Sequence, residues 1–134
     1  MSDSDDCRVL VVDDAKEVRE MLCLMLRVRP GFVVVGEAAN GREAIDVARE
    51  TQPDVVFLDL AMPVMDGLEA LPEIRRVAPA SKVLVSSGYD DTMVRRAVEL
   101  GAHATIVKGG KAREIADAIL QVWRAGGAGA GPER

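Results

Sequence analysis

The sequence predicts an α/β domain: an open, doubly wound, five-stranded parallel sheet with helices on both faces. Short, continuous, largely β-branched runs alternate with longer stretches whose apolar residues recur at helical spacing. Five such units follow one another, the pattern of right-handed βαβ crossovers. Turn-forming residues fall between them: Pro30-Gly31, Asn40-Gly41, Gln52-Pro53, Pro79 and Gly101.

The strand runs are Val9-Leu10-Val11-Val12, Phe32-Val33-Val34-Val35, Val55-Val56-Phe57-Leu58, Val83-Leu84-Val85 and Thr105-Ile106-Val107. Unbroken apolarity is what a strand covered on both faces requires, so all five are expected inside such a sheet. In the first helix Val18, Met21, Leu22, Met25 and Leu26 form one buried stripe. Ala44, Ile45 and Ala48 mark the second helix, Leu68, Leu71, Ile74 and Arg75 the third, and Val94, Ala97 and Val98 the fourth. Ile115, Ile119, Val122 and Trp123 mark the fifth, which Trp123 anchors. The methionines, at helical spacing, read as core filler.

A chain of 134 residues is sized for one domain. Residues 1–7 form an acidic lead and 8–124 the folded unit. Residues 125–134, with four glycines, a proline and no large apolar side chain, read as a flexible tail. No apolar run approaches the roughly 20 residues of a membrane span, and the N-terminus lacks a signal peptide's basic-then-apolar order, so the expected location is the cytoplasm. Cys7 and Cys23 are too few for a zinc ribbon and read as small core residues. A net charge of −5 argues against direct nucleic-acid binding by this domain.

In a doubly wound sheet the functional crevice lies outside the carboxyl ends of the strands. Asp13 and Asp14 end the first strand, Asp59 the third, Ser86 and Ser87 the fourth, and Lys108 the fifth. Taken singly these residues are ordinary: an Asp-Asp pair can cap a helix, and a strand-end lysine is usually surface. Their conjunction at four strand ends is not ordinary. Three close carboxylates repel unless a cation joins them, and Mg²⁺ suits a few carboxylates alongside phosphate oxygens. A carboxylate nucleophile can then take a phosphoryl group, a step governed by positioning and charge, with Lys108 and a serine hydroxyl meeting the phosphoryl oxygens.

Val11-Val12-Asp13-Asp14, the string Asp59-Leu60-Ala61-Met62-Pro63-Val64-Met65-Asp66-Gly67, Ser86-Ser87-Gly88, Gly101-Ala102 and Lys108 resemble the response-regulator receiver domain of two-component signalling, across about residues 8 to 123. The resemblance implies a (βα)5 flavodoxin-like receiver fold. It implies that Asp59 accepts a phosphoryl group from a histidine kinase or phosphotransfer protein. Asp13, Asp14, Asp59 and the backbone carbonyl of Ala61 would hold Mg²⁺, and Lys108 would contact the phosphoryl group. Ser87, 28 residues after Asp59, fits the usual spacing of the switch hydroxyl, with Ser86 the alternative. Such a domain catalyses only its own phosphorylation and dephosphorylation and passes its state to an output protein through the surface of α4, β5 and α5.

Two departures fall near that surface. Thr105 stands where the family usually has an aromatic switch residue, and Gly109-Gly110 follow Lys108 where many members have proline. Both leave the route of output open. His103 reads as a surface residue, and Arg95 and Arg96 as a solvated face. One expectation is a stand-alone receiver; another is the N-terminal receiver part of a DNA-binding transcriptional regulator, which the string from Val35 to Gly41 resembles. A Mg²⁺-dependent phosphohydrolase would need an acid two residues after the nucleophile, where Ala61 stands. A flavin or nucleotide binder would need a phosphate-cradling loop where Asp13-Asp14 stand.

Overall fold

A computed structural model describes residues 6–88, 91–109 and 111–129. The acidic lead up to residue 5, Gly110 and residues 130–134 of the expected tail lie outside the described residues. The elements are β1 (Cys7–Val12), α1 (Lys16–Val28), β2 (Phe32–Ala38), α2 (Gly41–Thr51), β3 (Val55–Asp59), α3 (Gly67–Val77), β4 (Lys82–Ser87), α4 (Asp91–Glu99), β5 (Ala104–Val107) and α5 (Ala112–Gly129). All strand pairings are parallel, in the order β2-β1-β3-β4-β5. The order reverses between β1 and β3, which places a crevice at their carboxyl ends.

Alternation along each strand divides the apolar side chains between two layers. Leu10, Val12, Val56, Leu58, Val83 and Val85 pack with α2, α3 and Ala97 of α4. Val9, Val11, Val55, Phe57 and Leu84 pack on the other face against Leu22, Cys23 and Leu26 of α1 and Ala116 and Ile119 of α5. Trp123 lies partly buried against this second layer. The predicted architecture is therefore present, with four local corrections.

First, β2 and β5 are edge strands. Their apolar runs are only partly covered, and Val33 and Val107 are exposed, because each strand has a neighbour on one side only. Second, the buried stripe of α1 is rotated: Cys23 is fully buried in it, whereas Met21 is 61% exposed and is not core filler. Third, Val98 of α4 faces solvent while Ala97 is buried. Fourth, α5 continues through Gly129, past Ala125 where the tail was expected to begin. Alanine's helix propensity extends the helix past the last large side chain, against the cost of the interspersed glycines.

At the amino ends of the strands, side chains tie the layers together. The Arg8 guanidinium donates to the carbonyls of Thr51 and Gln52 at 2.7 Å each, closing the end of α2, and the Arg8 N–H donates to Asp54 Oδ2 at 2.9 Å. The buried Ser81 hydroxyl donates to the Pro53 carbonyl. The His103 N–H donates to the Val83 carbonyl, and His103 Nδ1 accepts the Val83 N–H, each at 2.9 Å, so the imidazole extends the β4–β5 ladder by one step.

Candidate functional site

Asp59 is the last residue of β3 and 1% exposed. The surrounding backbone fixes it. Leu60, fully buried, donates its N–H to the Ser86 carbonyl at 3.1 Å and accepts the Gly67 N–H at 2.9 Å. Gly67 lies so close that a Cβ there would come within 2.5 Å of the Asp59 carbonyl oxygen, so only glycine closes this loop without displacing Asp59. Between them Val64 has φ +68° and spans a γ-turn in which the Met65 N–H donates to the Pro63 carbonyl at 2.7 Å. Asp66 and Glu69 then form a capping box that starts α3.

The side-chain contacts bring together residues far apart in sequence. Lys108 Nζ donates to Asp59 Oδ2 at 2.9 Å and lies 3.8 Å from Asp13 Oδ2. The Ala61 N–H donates to Asp59 Oδ1 at 3.2 Å. Asp13, 2% exposed, accepts the Ala15 N–H on Oδ1 at 2.9 Å, while Asp14 is exposed. Asp13, Asp14 and Asp59 each offer an oxygen within 4.8 Å of the others.

Burial pushes the Asp59 carboxyl above its ordinary range; the hydrogen bond and charge of Lys108 pull it down, and Asp13 adds to the rise. Burial likewise opposes charge on Lys108, but Asp59, Asp13 and Asp14 together outweigh it and hold the ammonium above its usual range. The cluster has one cation for three carboxylates. That imbalance, together with an all-oxygen donor set, fits a divalent cation of the Mg²⁺ type.

The two serines lie on opposite faces of β4. Ser86 pairs with Asp59 across the sheet and lines a cavity of about 250 Å³ with Asp13, Phe57, Ile106 and Lys108. Ser87 follows the parity of Val83 and Val85 toward the α2–α3–α4 layer, and its carbonyl accepts the Lys108 N–H at 2.6 Å. Both are buried. Thr105 is exposed on β5, and Gly109 has φ +93°, a conformation that suits glycine rather than proline.

Sequence reasoning did not single out Arg19 and Glu37. Arg19 Nη1 donates to the Asp13 carbonyl at 2.8 Å, and its Nε donates to Glu37 Oε1 at 3.2 Å. Arg19's place one turn into a helix that begins on alanine was the available signal.

The model of the response regulator receiver domain family matches residues 9–120. The chain is 42% identical over 113 residues to the transcriptional regulatory protein LiaR of Bacillus subtilis, covering 84% of this chain but 54% of LiaR. It is 40% identical over 116 residues to the chemotaxis protein CheY of Thermotoga maritima, covering 86% of this chain and 96% of CheY. Among solved structures it superposes on the receiver domain of the putative response regulator NarL from Mycobacterium tuberculosis with a TM-score of 0.84 and 32% identity, over 90% of this chain and 98% of that one. The chain thus spans about half the length of LiaR and nearly all of CheY. With its sheet order, its strand-end carboxylates and these relatives in agreement, the chain belongs to the response regulator receiver domain family.

Proposed function

We propose that Asp59 accepts a phosphoryl group from a histidine kinase or phosphotransfer protein, in a Mg²⁺-dependent reaction that resets the surface of α4, β5 and α5. The observation that carries this reading is the Asp59 carboxylate, buried at a strand end, bonded to Lys108 and clustered with Asp13 and Asp14. An Asp59 oxygen attacks phosphorus, the bond from phosphorus to the donor nitrogen breaks, and its electron pair stays on that nitrogen. An acyl phosphate results. Lys108 exchanges its contact with the carboxylate for the phosphoryl oxygens, and the Ser87 hydroxyl donates to another. Mg²⁺, held by Asp13, Asp14, Asp59 and the Ala61 carbonyl, supplies positive charge against the phosphoryl oxygens when bound. The hydroxyl's approach biases the loop after β4, and with it the α4 surface, as a two-state switch. Thr105 is too small for an aromatic rotation, so the loop and α4 carry the message. The domain works on no other substrate, and its expected place is the cytoplasm; among the described residues no helix is long and apolar enough to cross a membrane.

The test is incubation with acetyl phosphate and Mg²⁺, followed by intact mass and mapping of the labelled residue. Wild type gains one phosphoryl group at Asp59. Asp59→Asn gains none, and Asp14→Ala or chelation suppresses labelling strongly. Labelling of Asp59→Asn at the wild-type rate would overturn the assignment. Ser87→Ala should alter labelling or output more than Ser86→Ala; the reverse order moves the switch role to Ser86.

A second reading of the output is that this receiver is the N-terminal part of a DNA-binding regulator, favoured by the span of half of LiaR. The length of the complete reading frame decides between this and a stand-alone receiver acting on an output protein.

A further inference from the structure

We infer that Arg19 is a positioning residue for the acidic cluster, setting the peptide plane between Asp13 and Asp14 so that both carboxylates point into the site. The inference rests on the reading of that cluster as a Mg²⁺ site. Its basis is how the turn from β1 to α1 is held. Helix α1 starts from Ala15, whose side chain offers no oxygen to cap the first turn. What holds the turn is Asp13 itself. Its N–H donates to the Ala38 carbonyl at 3.1 Å, its Oδ1 accepts the Ala15 N–H at 2.9 Å, and its carbonyl accepts Arg19 Nη1 at 2.8 Å. The first contact fixes the Asp13 N–H, and the second closes an Asx turn around the peptide that leads to Asp14. The third holds the carbonyl of that peptide from outside the turn.

That carbonyl belongs to the same rigid plane as the Asp14 N–H, so pinning it sets the torsions from which the Asp14 side chain departs. Asp14 is exposed, so packing restrains it less than it does the buried Asp13. The peptide plane is therefore the part of its geometry that the fold controls most directly.

Glu37, at the end of β2, makes the arrangement compatible with a cation nearby. Its Oε1 accepts Arg19 Nε at 3.2 Å, aligning the guanidinium so that Nη1 reaches the carbonyl. Its negative charge also offsets the guanidinium, which would otherwise repel a divalent ion. Arg27 Nη2 lies 3.8 Å from Glu37 Oε2 and holds the carboxylate from the other side. The Arg19 side chain is only 16% exposed, so its geometry is set by these contacts rather than by solvent. A chain of groups thus runs from α1 through β2 to the backbone of the acidic turn. A lysine could reach the carbonyl or Glu37, but its single ammonium lacks the fork that engages both.

The experiment is calorimetric titration of the full chain with Mg²⁺ alone, with no phosphodonor, on wild type, Arg19→Met, Arg19→Lys and Glu37→Gln. Arg19→Met should raise the Mg²⁺ Kd about five- to tenfold, and Glu37→Gln about two- to threefold. Arg19→Lys should fall between wild type and Arg19→Met. Saturating Mg²⁺ should bring acetyl phosphate labelling of Arg19→Met back toward the wild-type rate, as expected when affinity and not chemistry is lost. Ser81→Ala, which loosens the opposite end of the sheet, is the stability control and should lower the melting temperature without changing the Kd.

An unchanged Kd in Arg19→Met overturns the inference, as does an equal loss of affinity in Ser81→Ala. If Arg19→Met does not fold, wild-type affinity in both Arg19→Lys and Glu37→Gln overturns it. A wild-type chain that binds Mg²⁺ but is not labelled at Asp59 removes the phosphoacceptor reading and leaves this inference to its own titration. A wild-type chain that binds no Mg²⁺ removes both.

Discussion

Val64 holds a positive φ of +68° at the centre of its γ-turn while it is 83% exposed. A β-branched residue gains nothing from solvent and is disfavoured at positive φ, where asparagine is tolerated. Val64→Asn should therefore stabilise the fold by about 0.5–1 kcal/mol, read as a rise in the urea midpoint at constant slope. At His103 the balance is set by protons. Burial, then the charges of Lys82 and Arg75, depress its pKa below the ordinary 6.5, and Nδ1 must stay unprotonated to accept the Val83 N–H. The unfolded chain therefore binds this proton more readily than the folded one. Stability is at its full value above pH 6.5 and is lost as the pH falls through the folded-state pKa. His103→Asn keeps an acceptor but cannot titrate, so the urea midpoint of wild type should drop more than the variant's between pH 7.5 and pH 5. Equal drops would show that His103 is not the sensor. Asp13, Asp14, Asp59 and Lys108 were legible in the sequence because each follows an apolar run that ends where it stands. Arg19 was not, because a carbonyl and a glutamate on another strand become its partners only once the chain has folded.

Helix α1 shows where periodicity stops being decisive. Met21, Leu24 and Val28 are apolar and exposed, so hydrophobic residues extend around more of the helix than one buried face needs. Several stripes then fit the pattern, and the one chosen from sequence included Met21, while Cys23 was expected in the core but not as part of that stripe. The rotated stripe has a measurable consequence. Leu26→Ala empties a buried site and should cost about 2–5 kcal/mol, whereas Met21→Ala should stay within about 0.5 kcal/mol, both from denaturant unfolding. A similar cost for both would restore the original stripe. Helices α2 and α3, whose starts are capped by Asn40 and Asp66, were easier to read: the expected Ala44, Ile45, Ala48, Leu71 and Ile74 are buried, although in α3 Leu68 is only partly buried, Arg75 is exposed and Ala70, outside the expected stripe, is fully buried.

For the molecule as a whole, alternation of strand and helix gave the architecture, but sequence alone did not distinguish edge strands from central ones. The β2 run looks like an interior strand because α1 and α2 cover much of it, and only the sheet order places it at the margin. The two-layer core also determines how the thiols behave. Cys7 and Cys23 are both free and fully buried, and burial first, then nearby carboxylates, push their pKa values up to about 12 and about 11. Native protein at neutral pH should resist iodoacetamide, and both cysteines should label once urea unfolds it, as counted by intact mass. Rapid native labelling would mean that the layer between α1 and the sheet opens more freely than this packing allows.

Parallel strands give the sheet two chemically unequal margins. The carboxyl margin gathers Asp13, Asp14, Asp59 and Lys108, while the amino margin carries the ties made by Arg8, Ser81 and His103. For protein engineering, thermal hardening and retuning of reactivity thus become separable projects. Substitutions at the amino margin can adjust how long the scaffold survives heat or acid, while those at the carboxyl margin adjust what the domain does, and libraries built at one can be combined with libraries built at the other.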